Sequence, residues 1–165
     1  MKFRIVKSSD IWLLYEWAND EVTRNMSFNT SKISKEDHEK WFVEKMADDT
    51  VHLYIAEDGM TEEPLGFLRV DQNGVISFLI DKKLRGKGLG SKILIEFIQF
   101  VEGNSVKLGS NQLKALIKTR NRPSVVTFEK AGFELKGIFQ HEGEECVEYK
   151  YSINLNHEQE LGRDL

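Results

Sequence analysis

Apolar residues alternate along some stretches of the chain and recur every three or four positions along others. The change of period divides it into elements. Phe3 and Ile5 alternate within Lys2–Val6, which predicts a short strand. Ser8, Ser9 or Asp10 can cap a helix carrying Trp12, Leu13, Leu14 and Trp17 at helical spacing, ending near Asn19-Asp20. Residues 20–32 hold neither period and read as a loop. Ser34-Lys35-Glu36-Asp37 is a weaker relative of the capping box, and an acid suits a helix N-terminus. It predicts a helix to about Ala47, with His38, Trp41, Phe42 and Lys45 over roughly one side. Val51–Glu57, Glu63–Asp71 and Val75–Asp81 read as strands. Asp71-Gln72-Asn73-Gly74 joins the last two as a hairpin, because Asn-Gly tolerates positive φ.

From Gly88 the period becomes 3.6. Leu89, Ile93, Phe97 and Phe100 or Val101 form one stripe, and Leu94, Ile95 and Ile98 make the adjoining faces equally apolar. A helix apolar on most sides is a buried one. Gly103-Asn104 stops it. Gln112–Thr119 reads as a strand. Pro123 opens a helix to about Ala131, with Gly132 as its C-cap. Phe133–His141 and Glu145–Leu155 pair as a final hairpin. The order is strand, two helices, three strands, helix, strand, helix, two strands. That is an α+β arrangement with helices on the faces of a mixed sheet. At 165 residues, one domain spanning 1–165 is expected, its last ten or so residues a flexible tail.

Composition narrows the function. A net charge of −4 excludes a globally cationic surface, so nucleic acid is not an expected partner. No apolar run is long enough to span a bilayer, and MKFRIVKSSD lacks the apolar core of a signal peptide. One cysteine, Cys146, cannot form an internal disulfide, which points to a reducing, cytoplasmic setting. No metal site is expected. Within this acidic chain Lys82, Lys83, Arg85, Lys87 and Lys92 form a basic stretch without an acid, which suits a local anionic ligand.

The glycines in that stretch sharpen the expectation. Arg85-Gly86-Lys87-Gly88-Leu89-Gly90 follows a strand and opens the buried helix. Glycines at this spacing let successive amides point one way and add to the open N–H groups and positive dipole of a helix N-terminus. The result is a cradle for a pyrophosphate. A Walker A loop is absent, and the G-x-G-x-G spacing is not the G-x-G-x-x-G of dinucleotide folds.

R-x-x-G-x-G between an apolar strand and a helix resembles the acyl-CoA signature of the GNAT family of N-acetyltransferases. Asn121-Arg122-Pro123-Ser124-Val125-Val126-Thr127-Phe128-Glu129-Lys130-Ala131-Gly132-Phe133 resembles the second half of that family's cofactor site. The resemblance implies a single-domain GNAT fold, its mixed and mostly antiparallel central sheet of about seven strands flanked by helices on both faces. It implies acetyl-CoA as cofactor, held by Arg85, Gly86, Lys87, Gly88, Leu89, Gly90 and Ser91 at the pyrophosphate. The main chain of Phe78, Leu79 and Ile80 would lie along the pantetheine arm, with Asn121 at the pantetheine or the cofactor's far end. It implies direct attack of a primary amine on the thioester in a ternary complex.

Two family features are missing. Phe128 stands where many members carry a tyrosine acid, and strand 75–81 has no glutamate base, offering only Ser77 and terminal Asp81. Ser77, Tyr149 and Tyr151 are the catalytic candidates, with His38 and Glu145 behind them, and Cys146 reads as filler. Trp17, Asn19, Arg24, Ser27, His38 and Trp41 are the acceptor-binding candidates. Their spacing resembles the GNAT branch acetylating nucleotide-linked amino sugars, and also the branch acting on ribosomal-protein N-termini. A protein N-terminal acetyltransferase and a non-catalytic CoA-binding module are the alternatives. A small-molecule amine is the expected partner, with the protein a monomer or homodimer.

Overall fold

A computed structural model describes residues 1–154. The expected tail, and Leu155 at the end of the last predicted strand, lie outside the described residues. The chain forms β1 (Lys2–Ile5), α1 (Ile11–Ala18), α2 (Glu21–Met26), α3 (Lys35–Met46), β2 (His52–Glu57), β3 (Pro64–Val70), β4 (Ile76–Ile80), α4 (Leu89–Gly103), β5 (Gln112–Lys118), α5 (Arg122–Lys130), β6 (Glu134–His141) and β7 (Glu144–Ser152). Short 3-10 turns cover Ser8–Asp10 and Lys82–Leu84. The α+β expectation and the seven strands hold.

Two expectations need correction. Residues 20–32 are not all loop, because Glu21–Met26 is helical. It buries no residue, so no apolar period marks it, and polar capping by Asp20 holds it instead. The strands also do not make one central sheet. They form a four-stranded sheet in the order β1-β2-β3-β4 and a three-stranded sheet in the order β5-β7-β6, every pair antiparallel. A single parallel bridge, Val75 to Lys114, links them, with the Lys114 N–H donating to the Gly74 carbonyl at 2.8 Å.

Helices cover both faces. Ile93, Leu94, Phe97, Ile98 and Val101 of α4, with Val125 and Phe128 of α5, pack on one face of both sheets against Leu68, Val70, Ala115 and Val147. Leu14 and Trp17 of α1 and Phe42 of α3 pack on the opposite face of the first sheet against Leu53, Ile55 and Phe67. The near-continuous apolar surface of α4 is explained by its place over the seam between sheets, although Ile95 turns 38% exposed to solvent. An ion-pair network of Arg4 with Asp10 and Glu57 ties β1 to the turn before α1.

Gly74 sets the seam. It has φ +78°, and a Cβ there would sit 2.0 Å from the Gln112 carbonyl oxygen. Gly74→Ala is expected to lower the unfolding free energy by at least ~2 kcal/mol, measured as the urea midpoint. An unchanged midpoint would mean that the seam tolerates a wider approach.

Candidate functional site

In an antiparallel ladder the main chain of every second residue turns to the partner strand. The Asp71 N–H donates to the Val75 carbonyl at 3.1 Å and the Asp81 N–H to the Leu65 carbonyl at 3.1 Å. Val75, Ser77, Leu79 and Asp81 therefore face β3, while Ile76, Phe78 and Ile80 turn toward β5. On β5, the Thr119 N–H donates to the Glu145 carbonyl at 3.0 Å and the Ile153 N–H to the Asn111 carbonyl at 2.9 Å. That phase turns Lys114, Leu116 and Lys118 toward β4. Beyond the bridge no ladder joins these strands, so peptide groups of both edges line a cleft between the sheets. Phe78 and Ile80 thus present their main chain as expected. Leu79 does not, because its peptide groups lie in the ladder opposite Phe67.

The glycine cradle lies at the open end of the cleft. Asp81 caps the 3-10 turn through the Lys83 amide at 2.8 Å, and α4 starts at Leu89 with Gly88 as N-cap. Gly86 and Gly88 have φ +74° and +72°, and a Cβ at either would meet nothing within 4 Å. The loop is therefore left-handed for its own path and open on the side where the amides of α4 emerge. Gly90 differs, since a Cβ there would press on Thr127 at 3.3 Å, so it packs α4 against α5. The Ser91 hydroxyl donates to the Gly88 carbonyl at 3.1 Å within the same turn. Lys87 is exposed beside the cradle. Asn121 caps α5, its side-chain oxygen accepting from the Ser124 amide at 3.3 Å. Open glycines, a fifteen-residue helix behind them and unladdered strand edges leading away fit a diphosphate on an extended arm.

Arg85 is engaged elsewhere. Its Nη1 donates to Asp20 Oδ2 at 2.6 Å and its Nη2 to the Thr23 hydroxyl at 3.1 Å and the Ile80 carbonyl at 3.4 Å. The same Asp20 accepts from the Thr23 amide at 3.1 Å and so begins α2. At its far end α2 meets the second sheet. Arg120, paired with Glu144 at 3.1 Å, donates to the Asn25 carbonyl at 2.7 Å, and the Phe28 ring packs edge-on to His141 with centroids 4.7 Å apart. Residues 20–28 are thus a strap fastened to β4 on one side and to the β6–β7 turn on the other.

The acceptor-binding candidates mostly hold that strap and its helices. Asn19 bonds both the amide (2.8 Å) and the carbonyl (3.1 Å) of Ile33. Arg24 donates to the carbonyls of Ala18 and Asn29 and to Ser27, whose hydroxyl donates to the Thr23 carbonyl at 2.7 Å. Trp17 is buried and donates to Asp81 at 3.3 Å. His38 is 2% exposed, donates from Nε2 to the Ile11 carbonyl at 2.7 Å and stacks on Trp41. His38 is therefore a core residue between α1 and α3 rather than a reader of ligand.

The tyrosines are likewise not brought to the cleft. Tyr149 is buried under α5 and donates to Glu129 at 2.6 Å, a bond that, with burial, raises its phenol above the ordinary value. Tyr151 lies beside Gly132 and Phe133, opposite Leu113 and away from the open end. Phe128 is core, edge-on to Phe133. Burial, helped by Glu144, pushes the Cys146 thiol up, which leaves it unreactive. Ser77 alone of the catalytic candidates lies on β4, two residues past the bridge, and accepts from Arg69 Nη2 at 3.0 Å. Arg69 escaped the sequence reading, since one arginine in a strand carries no signal before the register places it. A cavity of about 710 Å³ lined by Met1, Phe3, Glu57, Glu96 and Phe100 lies by β1, at the other edge of the sheet from the cleft.

Residues 1–134 match the family of acetyltransferase (GNAT) domains. The chain belongs to the GNAT acetyltransferase family. It is 29% identical over 148 residues to the "Putative phosphinothricin acetyltransferase YwnH" of Bacillus subtilis (strain 168), covering 84% of this chain and 87% of that protein. Its fold is that of the spermidine N-acetyltransferase of Vibrio cholerae, solved with CoA and spermine. The TM-score is 0.77 at 14% identity, over 92% of this chain and 95% of that one. An aminoglycoside acetyltransferase solved with coenzyme A and kanamycin superposes with a TM-score of 0.73 at 21% identity, over 92% and 94%. This GNAT protein is an acyl-CoA-dependent acetyltransferase with acetyl-CoA as its cofactor.

Asp20 joins the strap to the cradle loop. Burial opposes its charge, but Arg85 and the Thr23 amide outweigh that and hold its carboxyl below the usual range. A depressed folded pKa contributes stability above the unfolded value, near 3.9, that is lost as pH falls through the folded one. Asp20→Ala is expected to cost about 1–2 kcal/mol at pH 7 and to flatten the fall in urea midpoint below about pH 4. An acid limb as steep as that of the wild type would detach Asp20 from strap stability.

Proposed function

We propose that this protein acetylates a small primary amine by direct transfer within a ternary complex. One observation carries the reading. The open glycine cradle at the start of α4 is continuous with a cleft whose two edges offer peptide groups that no ladder uses. Bound acetyl-CoA supplies a thioester carbonyl as electrophile. The amides of residues 86–91 hold the diphosphate, Lys87 adds charge, and the main chain of Phe78 and Ile80 orients the arm. Asn121 stands at the head of α5, across from the cradle, as a further contact for the cofactor. An unladdered β4 amide is the donor available to an oxyanion at this edge.

The protein's own part is binding and orientation. Phe128 has no proton to give a departing thiolate, and Ser77, whose hydroxyl accepts from Arg69, lies at the closed end of the cleft beside the seam. Proton transfer to and from the reacting groups is assigned to water. Among small amines the nucleotide-linked amino sugar is the acceptor the sequence resemblance points to. The geometry lends it no particular support, since Asn19, Arg24 and Ser27 are occupied with one another and with nearby main chain. A relative named for phosphinothricin supports a small molecule over a protein N-terminus as acceptor, in keeping with structural neighbours solved with spermine and kanamycin.

Calorimetry is expected to give saturable acetyl-CoA binding. Gly88→Glu should weaken it at least ~100-fold, because bulk and negative charge enter the open side of the cradle. A side chain at φ +72° is strained by about 1–2 kcal/mol, a local cost that the fold should survive because a Cβ there meets nothing. Thiol release with a panel of primary amines and peptides then reads transfer. Affinity within about twofold of wild type would place the cradle elsewhere, and binding without transfer to any amine would leave a CoA-binding module instead.

A further inference from the structure

Among the described residues Arg69 has no carboxylate partner. Arg4, Arg85 and Arg120 meet Asp10, Asp20 and Glu144. Arg69 donates to the Ser77 hydroxyl at 3.0 Å, its one hydrogen bond among the described residues. Its Nε is buried with no partner. Its Nη1 also has none, and that atom is not among the buried unpartnered ones. Asp71, two positions on, is the acid whose charge reaches it, yet Asp71 Oδ1 already accepts from the Asn73 and Val75 amides. Burial pushes the guanidinium below its ordinary value. A partly buried cation without its anion is costly, and such a group persists where something else holds it in place or completes it.

Its position is informative. Arg69 pairs with Ser77 across the β3–β4 ladder, just past the turn that carries the seam, at the closed end of the cleft. Phe67 and Leu79, one step along the same face, are covered by α1 and α3. Of the guanidinium, the unpartnered Nη1 retains contact with solvent. The cradle, at the opposite end of β4, already accounts for an anion of the cofactor, so Arg69 serves a second one.

We propose that Arg69, steadied by Ser77, is a specificity-determining residue that receives a carboxylate-type anion on the acceptor, which makes the substrate an amine bearing such an anion. The planar guanidinium suits two parallel N–H bonds to a carboxylate. The same fixed charge repels polycations, so polyamines and aminoglycosides are poor acceptors. The inference rests on the acetyl-transfer reading above, since it assigns the acceptor of that same reaction.

The test uses the full chain with acetyl-CoA and matched acceptors, namely α-amino acids, their carboxamides, the decarboxylated amines, and spermidine. Wild type is expected to favour the carboxylate acceptor over its carboxamide by roughly tenfold or more in kcat/KM, as hydrogen bonds to a charged group allow. Arg69→Gln should shrink that preference to about twofold or less, the loss falling mainly on KM for the carboxylate acceptor, while Arg69→Lys retains part of it. Equal rates for the pair, a preference that survives Arg69→Gln, or spermidine as the better acceptor would overturn the proposal. An independent readout needs no turnover and no variant that folds poorly. The Arg69 Nε proton resonance of the CoA-loaded protein should move as glutamate is added, and a resonance unmoved at about 10 mM, above ordinary KM values, also overturns it. Loss of acetyl-CoA binding in calorimetry would instead strike the reading beneath, because Arg69 lies at the other end of β4 from the cradle.

Discussion

The parting of β4 from β5 is the constraint on which the rest depends. Among the described residues seven strands share one helical cover, yet only the Val75–Lys114 bridge crosses between the two groups. Gly74 allows that one contact by letting backbone meet backbone where a side chain has no room. Past it the strands diverge with peptide groups still directed at each other. An apolar ligand could not satisfy them, whereas an extended chain rich in amides can, because buried N–H and C=O groups require partners. The cleft is therefore specific for a type of ligand before any side chain is considered.

Charge is arranged with similar economy. In the proposed reading the cradle holds its anion through main-chain amides and the α4 dipole, while Arg85 of the same loop is turned to Asp20. That ion pair makes the strap and the cofactor loop parts of one assembly. The glycine loop and the strap are then coupled by a single carboxylate that also caps α2. Arg120 and Glu144 repeat the arrangement at the other side, so the strap is held by polar contacts at both ends. An element fastened this way needs no apolar face, and α2 has no buried residue.

Side chains suited to chemistry are largely given over to structure. Tyr149 ties β7 to α5 through Glu129, His38 fills the layer between α1 and α3, and Asn121 caps α5. Catalysis by orientation suits such a site, because an amine held against a thioester needs alignment more than a covalent helper. Arg69 is the contrast, since its burial without a carboxylate is unexplained by packing.

What the sequence determined by itself is local. The alternation of Phe3 and Ile5, the apolar runs within Val51–Glu57 and Val75–Asp81, the apolar surface of residues 89–101 and the glycines before them were legible because strands, buried helices and helix entries each leave a pattern in neighbouring residues. The glycine turn that opens α4 was legible for the same reason, being one contiguous segment. Tertiary structure decided what depends on distant pairs. The division into two sheets follows from a bridge between residues 75 and 114, the helix at 21–26 from a cap and an ion pair reaching residue 85, and the isolation of Arg69 from the register of β3 on β4. A hydrogen-bonding side chain reads alike in sequence whether it meets a ligand or a neighbour, and only the fold shows which partners come within reach.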